Sequence, residues 1–344
     1  MNHATGISRL LTPSPLAMFV LLVAAAQLGC TRSHVGWNPA TASPIPRFEG
    51  PAAVVGDKLY VFGGFHDSGL NATTRVDVYD PRADRWTRLA DMPKPLTHLT
   101  PAVDDHTVWF AGGFDGKHPG PVADEVFAYD VRADTWSRGP SLPEPRGSGA
   151  LVRLGRRLHF FGGFAADRDT TPGDHWVLDL DSPATWHTLA PLPDPRGHLG
   201  GIAWAGRIYA IGGQHGHDRK ATDVASMHAY DADTDRWSAL APLPTPRSHF
   251  EAGTFVWGDR IVIAGGRNNV GGEESIARLS AYDPGADAWN DLAEMPAALL
   301  GPVLQPIGQR LILTTGGLGS WDNPRPETFV ADAEELLARA ASTQ

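Results

Sequence analysis

The chain has 344 residues, 42% hydrophobic and 20% charged, enough apolar content for a full core and too much for a disordered chain. Its 38 Gly and 29 Pro are scattered between short apolar runs, which excludes long helices and favours an all-β fold of short strands joined by turns. A net charge of -10 and a pI near 5.7 exclude the clustered Lys and Arg excess on which nucleic-acid binding depends, and a single cysteine, Cys30, excludes a disulfide framework or a multi-cysteine zinc site.

Arg9 precedes an apolar stretch from Leu16 to Ala26, too short for the roughly 20 residues that span a bilayer and of signal-peptide length. Residues 1–29 read as a signal peptide, so export is expected. The stretch ends Ala26-Gln27-Leu28-Gly29-Cys30, which resembles a bacterial lipobox, where the cysteine is joined to lipid and becomes the new N-terminus. Ordinary cleavage after Ala24-Ala25-Ala26 is the alternative, and it leaves Cys30 a free thiol. With lipidation, residues 30–36 are a tether and the protein is a periplasmic or outer-membrane lipoprotein that meets the membrane only through its lipid.

The rest of the chain repeats itself with a period of about fifty. A Gly-Gly pair closes a short apolar run six times: Leu59 to Gly64, Val108 to Gly113, Leu158 to Gly163, Ile208 to Gly213, Ile261 to Gly266 and Leu311 to Gly317. After four of the pairs comes Tyr-Asp and then a tryptophan: Tyr79, Asp80 and Trp86; Tyr129, Asp130 and Trp136; Tyr230, Asp231 and Trp237; Tyr282, Asp283 and Trp289. The third repeat varies this with Leu180, Asp181 and Trp186. Each run before a Gly pair reads as a buried inner strand, opened by turn pairs such as Gly56-Asp57 and Gly258-Asp259.

These residues resemble the Kelch family, whose mark is a Gly-Gly pair followed by Tyr and Trp at this spacing. The resemblance covers residues 37–331 and implies a six-bladed β-propeller of four-stranded blades. The last repeat lacks its tryptophan. Trp37-Asn38-Pro39 with Pro44, Pro46 and Arg47 aligns without gaps to Trp237-Ser238-Ala239 with Pro244, Pro246 and Arg247, so an N-terminal strand is expected to complete blade six. Such closure hides sheet edges. Residues 332–344 are left as a C-terminal helical tail, and a monomer is expected.

Function has to come from the loops, because propellers host unrelated activities. Ten residues past each tryptophan stand Arg47, Leu96, Arg146, Arg196, Arg247 and Leu299; two further come Glu49, His98, Ser148, His198, His249 and Gly301, expected on the same side of an extended chain. Two further again, Glu251 is a lone carboxylate, and the residues after the Gly pairs include Phe65, Phe114, Phe164, Gln214, Arg267 and Leu318. Arg47, Arg146, Arg196, Arg247 and Arg267 would thus surround one opening. Unit charges about 8 Å apart repel by about 2 kcal/mol at an effective dielectric of 20, so such a cluster calls for Glu49, Glu251, backbone carbonyls or a bound anion. The other reading of each Pro-Arg is structural, the guanidinium bonding carbonyls of the adjoining blade.

The chemistry is narrowed by what is missing. A tyrosine–cysteine copper centre of the galactose oxidase type has no cysteine within the blades, and neither a phosphate loop nor a serine nucleophile elbow is present. His215-Gly216-His217-Asp218 has ligand types at close spacing that could join His198 or His249 around a metal, but loops often look like this by chance, and no metal or cofactor is assigned. The expected function is a binding module for an acidic small molecule, glycan or peptide, with Arg47, Glu49, His98, Arg146, Arg196, Gln214, Arg247 and Arg267 as contacts. The alternative follows from similarity to exported six-bladed Kelch proteins that mutarotate sialic acid. In that reading Glu251, His249 or His198 moves the proton, while Arg196 and Arg247 hold the sugar carboxylate.

Overall fold

In the computed structural model the described residues are 36–338, without 219 and 271–273. The signal peptide, Cys30, nearly all of the tether and the end of the tail lie outside them. Each repeat forms a four-stranded antiparallel sheet. Blade one runs through Ala52–Val55, Lys58–Phe62, Val76–Asp80 and Arg85–Arg88. Blades two to five begin at Ala102–Asp104, Ala150–Leu154, Gly200–Trp204 and Thr254–Trp257. Blade six takes Val303–Ile307, Arg310–Thr314 and Thr328–Asp332 from the end of the propeller and its fourth strand, Trp37–Ala40, from the beginning, with Trp37 opposite Ala331. The architecture is a six-bladed propeller closed by its N-terminal strand. A short helix, Ala333–Ala338, follows, and its Leu336 and Leu337 pack in the same apolar cluster as Trp37.

One assignment shifts. First strands of neighbouring blades meet around the axis, so they are innermost, and the run before each Gly pair is the second strand. That run is nonetheless the more buried: Leu59, Val61, Phe62, Val108, Phe110 and their counterparts pack between blades, where both faces are covered.

The glycine pair joins the blades. The second glycine's N–H donates to the carbonyl of the residue that opens the next blade: Gly64 to Leu96, Gly113 to Arg146, Gly163 to Arg196, Gly213 to Arg247 and Gly266 to Leu299, at 2.8–3.2 Å. Gly316 closes the circle on Arg47 at 2.8 Å. In the sixth repeat the working pair is therefore Thr315-Gly316, one residue earlier than the Gly-Gly spelling predicts, and the residue after the pair is Gly317 rather than Leu318. The first glycine is required by space as well as by φ. A Cβ on Gly112 would lie 2.1 Å from the Arg146 carbonyl oxygen, and one on Gly63, Gly162 or Gly212 would lie 2.5 Å from the equivalent oxygen.

The outer rim has its own six-fold bond. Indole N–H groups of Trp86, Trp136, Trp186, Trp237 and Trp289 donate to Thr41, Ala90, Pro140, Ala190 and Ala241 carbonyls of the preceding blade, and Trp37 donates to Glu294 at 2.9 Å. Four tyrosines, Tyr79, Tyr129, Tyr230 and Tyr282, donate to Asp84, Asp134, Asp235 and Asp287, whose carboxylates also accept a backbone N–H from the preceding blade. Because Trp37 is both buried and bonded, Trp37→Ala is expected to cost roughly 3–5 kcal/mol, as large aromatic truncations do. Thermal melting checks this; an unchanged midpoint would show that the closing strand contributes nothing.

Candidate functional site

Two residues beyond each carbonyl that accepts the glycine N–H, the backbone enters the left-handed region. Glu49, His98, Ser148, His198, His249 and Gly301 have φ of +55°, +59°, +54°, +49°, +58° and +55°. A positive φ at a residue other than glycine is uncommon, and its recurrence in every blade makes it a property of this turn. The chain is not extended here as expected; it bends, and the side chains meet across the axis. His198 stacks on His249 with ring centroids 3.8 Å apart and meets His98 at 4.9 Å. Ser148 Oγ lies 3.4 Å from His198 Nε2. Glu49 reaches between two imidazoles, its carboxyl oxygens 3.8 Å from His249 Nε2 and 4.0 Å from His98 Nε2. Glu251 sits 3.1 Å from His198 Nδ1.

Burial decides the charge of this layer. It holds the imidazoles of His98 and His249 well below the usual histidine range, with neighbouring imidazoles adding to the shift, and it holds His198 down at about 3. It pushes Glu49 well above the usual carboxylate range, helped by Glu251 and opposed by Arg267, and raises Glu251 to about 7. Desolvation penalises charge on both members of the His198–Glu251 contact, so in mildly acidic solution the proton resides on the carboxyl and the ring is neutral.

The layer lies between two cavities. On the loop side is a cup of about 350 Å³ lined by Phe48, Phe65, Leu70 and Trp321 on one wall and by Gln214, His217, Asp218, Asn269 and Arg267 on the other, with His98, His118 and His249. On the other side a cavity of about 330 Å³ runs between the inner strands and is lined by Glu251, Gln305 and small residues such as Ala53, Ala102 and Gly201. His249 reaches the cup with its orientation fixed. Its Nδ1 is 2.6 Å from Ser248 Oγ, which is 2.6 Å from Asp223 Oδ1. If Ser248 donates to the carboxylate it accepts from Nδ1–H, leaving the His249 Nε2 lone pair exposed to the site.

Four of the five expected mouth arginines are elsewhere. Each points its guanidinium into the blade it opens, where carbonyls at the strand ends, some already accepting a glycine N–H, have a second lone pair to offer. Arg196 bonds Gly212, Ala210, Ser226 and Asp194 carbonyls, Nε to Gly212 at 2.5 Å. Arg47 bonds Val61, Gly63 and Arg75 carbonyls and pairs with Asp77. Arg146 pairs with Asp174 and Glu144 over the Trp176 ring, and Arg247 reaches the Arg278 carbonyl and Ser280 at 3.4 Å. All four are buried, directed into their blades and absent from the lining of the cup, so none is placed to hold a ligand carboxylate there. The structural reading of these arginines is the one that applies. Arg267 does line the cup: it donates to Gln214 Oε1 at 2.9 Å, lies 3.4 Å from Asp223 Oδ1 and covers Trp321 at 5.1 Å.

Of the other expected residues, Gln214, His98 and His249 line the cup, with Glu49 directly behind the last two. Glu251 lines the other cavity and His198 is buried, so the carboxylate expected from sequence as a base does not face the cup. Phe65 faces the cup, whereas Phe114 and Phe164 are buried against His217 at 5.2 and 4.7 Å. Leu70, His118, His217, Asp218, Asn269 and Trp321 come from the loops after the glycine pairs. Those loops differ in length and sequence, so a search at fixed spacing reads only their first residue.

Two outcomes test this description. Arg196→Met would remove four hydrogen bonds from a charged donor to buried carbonyls, each worth about 1.5–3 kcal/mol, so a fall in melting temperature is expected; a wild-type melt would remove the clamp. His98, His198, His217 and His249, with the buried pair His159 and His175 at about 3 and 4, all titrate below their unfolded value when folded. The unfolded chain therefore binds more protons below about pH 6.5, and stability is lost as pH falls from there. Glu49 and Glu251 act oppositely, their contribution falling as pH rises through the raised folded-state value, about 7 for Glu251, but six imidazoles outweigh two carboxyls. Melting temperature is expected to drop from neutral pH toward pH 4.5, and a flat profile would contradict the burial of these rings.

Comparison with known proteins agrees with the geometry. A profile for the KLHDC2/KLHL20/DRC7 Kelch-repeats domain matches residues 98–316, and a Kelch-motif profile matches residues 46–93. The Kelch-like protein terF of Aspergillus terreus is 29% identical over 84% of this chain, and this chain spans only about half, 54%, of that protein. The F-box protein AFR of Arabidopsis thaliana is 30% identical over 40% of this chain and 34% of its own length. A solved structure titled "Structure of YjhT" superposes with a TM-score of 0.69 over 85% of this chain and 95% of that one, at 16% identity, a likeness of fold.

Proposed function

This chain belongs to the Kelch-repeat family, whose propellers bind protein or small-molecule partners, and on that footing we propose that it binds a small, hydroxyl-rich acidic molecule in the loop-side cup. The observation that carries the reading is the pairing of two unlike walls: Phe48, Phe65, Leu70 and Trp321 against Gln214, Asn269, His217 and Asp218, with Arg267 laid over Trp321. A sugar ring has an apolar face for the first wall and hydroxyls for the second, and a guanidinium suits a carboxylate. The acidic preference rests on Arg267 and no longer on a ring of arginines. Export with lipid on Cys30 belongs to the same proposal, supported by the leader; Cys30→Ser moving the protein from the membrane fraction to the soluble fraction is the expected result.

Calorimetric titration with sialic acid, glucuronic acid and glucose tests the ligand class. Saturable uptake of an acidic sugar is expected, with Trp321→Ala weakening it by about 1–2 kcal/mol, an aromatic-face contribution, and Arg267→Gln removing the preference over glucose. Equal uptake of glucose by the wild type would sink the acidic preference, and no uptake of any of the three would sink the carbohydrate reading.

A second reading, mutarotation, is favoured by the Asp223–Ser248–His249 chain, which presents an oriented imidazole to the cup. Here His249, in place of Glu251, takes the proton of the anomeric hydroxyl, and the imidazolium so formed returns a proton to the ring oxygen as the ring opens. NMR exchange between anomers, catalysed by the wild type and slowed by roughly 100-fold in His249→Asn, is the expected signature; exchange at the buffer rate with the wild type would leave binding alone.

A further inference from the structure

We propose that His98, His198 and His217 bind one divalent transition-metal ion at the floor of the cup. The three come from separate segments: the turns that open blades two and four, and the loop after the glycine pair of blade four. One ligand-capable ring nitrogen of each lies within 4.8 Å of the others. Nitrogens at 2.0–2.1 Å from a tetrahedral ion stand roughly 3.4 Å apart, so metal entry requires a contraction of about an ångström, within reach of His217 on its loop.

The outer shell is what distinguishes this cluster from three packed rings. Two of the imidazoles are hydrogen-bonded through Nδ1, His98 to Thr97 Oγ1 at 2.7 Å and His198 to Glu251 Oε1 at 3.1 Å, while His217 Nδ1 is buried without a hydrogen bond, 2.8 Å from Asp218 Oδ1. Asp218 is itself fixed by Arg168 at 3.0 and 3.2 Å and by His118 at 3.2 Å. That leaves Nε2 as the donor nitrogen of His98 and of His198, whose Nε2 has only Ser148 Oγ at 3.4 Å, with hydroxyl or carboxylate support behind it, and gives His217 an unpartnered ring nitrogen to offer. Glu49, 4.0 Å from His98 Nε2, supplies nearby negative charge when ionised. His98 and His217 both line the cup, so a fourth coordination position opens toward whatever occupies it, and three neutral imidazoles with one open position suit Zn²⁺ or Co²⁺. The proposal does not depend on which organic molecule the cup takes.

The test uses chelator-stripped, tag-free protein titrated with Co²⁺ and then Zn²⁺ at neutral pH. One equivalent of Co²⁺ with the visible bands of a four- or five-coordinate ion, displaced by Zn²⁺, is expected. His217→Asn should weaken uptake by roughly 100-fold and Asp218→Asn by roughly 10-fold, while His215→Gln, whose ring contacts Asp194 outside the cluster, should leave it unchanged. The His217 loop lies off the blade sheets, and melting curves establish that each variant is folded. No saturable uptake by the wild type up to millimolar metal, or the same uptake in wild type and His217→Asn, would overturn the site and leave these imidazoles as packing for Phe114 and Phe164.

Discussion

The structure depends on one backbone hydrogen bond made six times, from the glycine that ends a blade's second strand to the carbonyl that opens the next blade. The bond needs a close approach that a Cβ would block, which is why the preceding residue is glycine in five blades. Thr315 is the exception, at φ +56°. The bond also fixes where the next segment starts, so everything downstream of the accepting carbonyl inherits its position from the blade before.

From that carbonyl the chain does two things within three residues. The side chain of the accepting residue turns into its own blade, and four times it is an arginine that bonds carbonyls or carboxylates there. Two residues later the backbone becomes left-handed and delivers a side chain to the axis. Stability and the axial layer thus arise from adjacent positions of one turn. A guanidinium has five donors and the strand-end carbonyls have lone pairs to spare, so the interior competes for these arginines more effectively than a solvent-filled mouth.

Blade number, the Tyr and Trp roles and ring closure by Trp37 were legible because each rests on local spelling repeated at a fixed interval. The direction of a side chain is not spelled locally. Arg47 and Arg196 stand at the interval that faces a propeller's open end, yet whether they point out or in depends on carbonyls that only the folded blade brings near. His98, His198 and His249 were legible as a set, although the left-handed turn that makes them meet was not. Trp321, Leu70 and Asn269 escaped because their loops share no register, and His217 was legible only as part of a cluster of ligand types. A further signal was present and unread: an aspartate five residues after Tyr79, Tyr129, Tyr230 and Tyr282 recurs four times and caps the tyrosine hydroxyl.

The cup is walled largely by segments that take no part in the glycine–carbonyl circuit. Leu70, His118, Asn269 and Trp321 can therefore be exchanged, lengthened or shortened over generations while the ring keeps its shape. Recognition in such a molecule is free to drift quickly on a scaffold that drifts slowly, so two descendants with the same blades need not share a preferred guest.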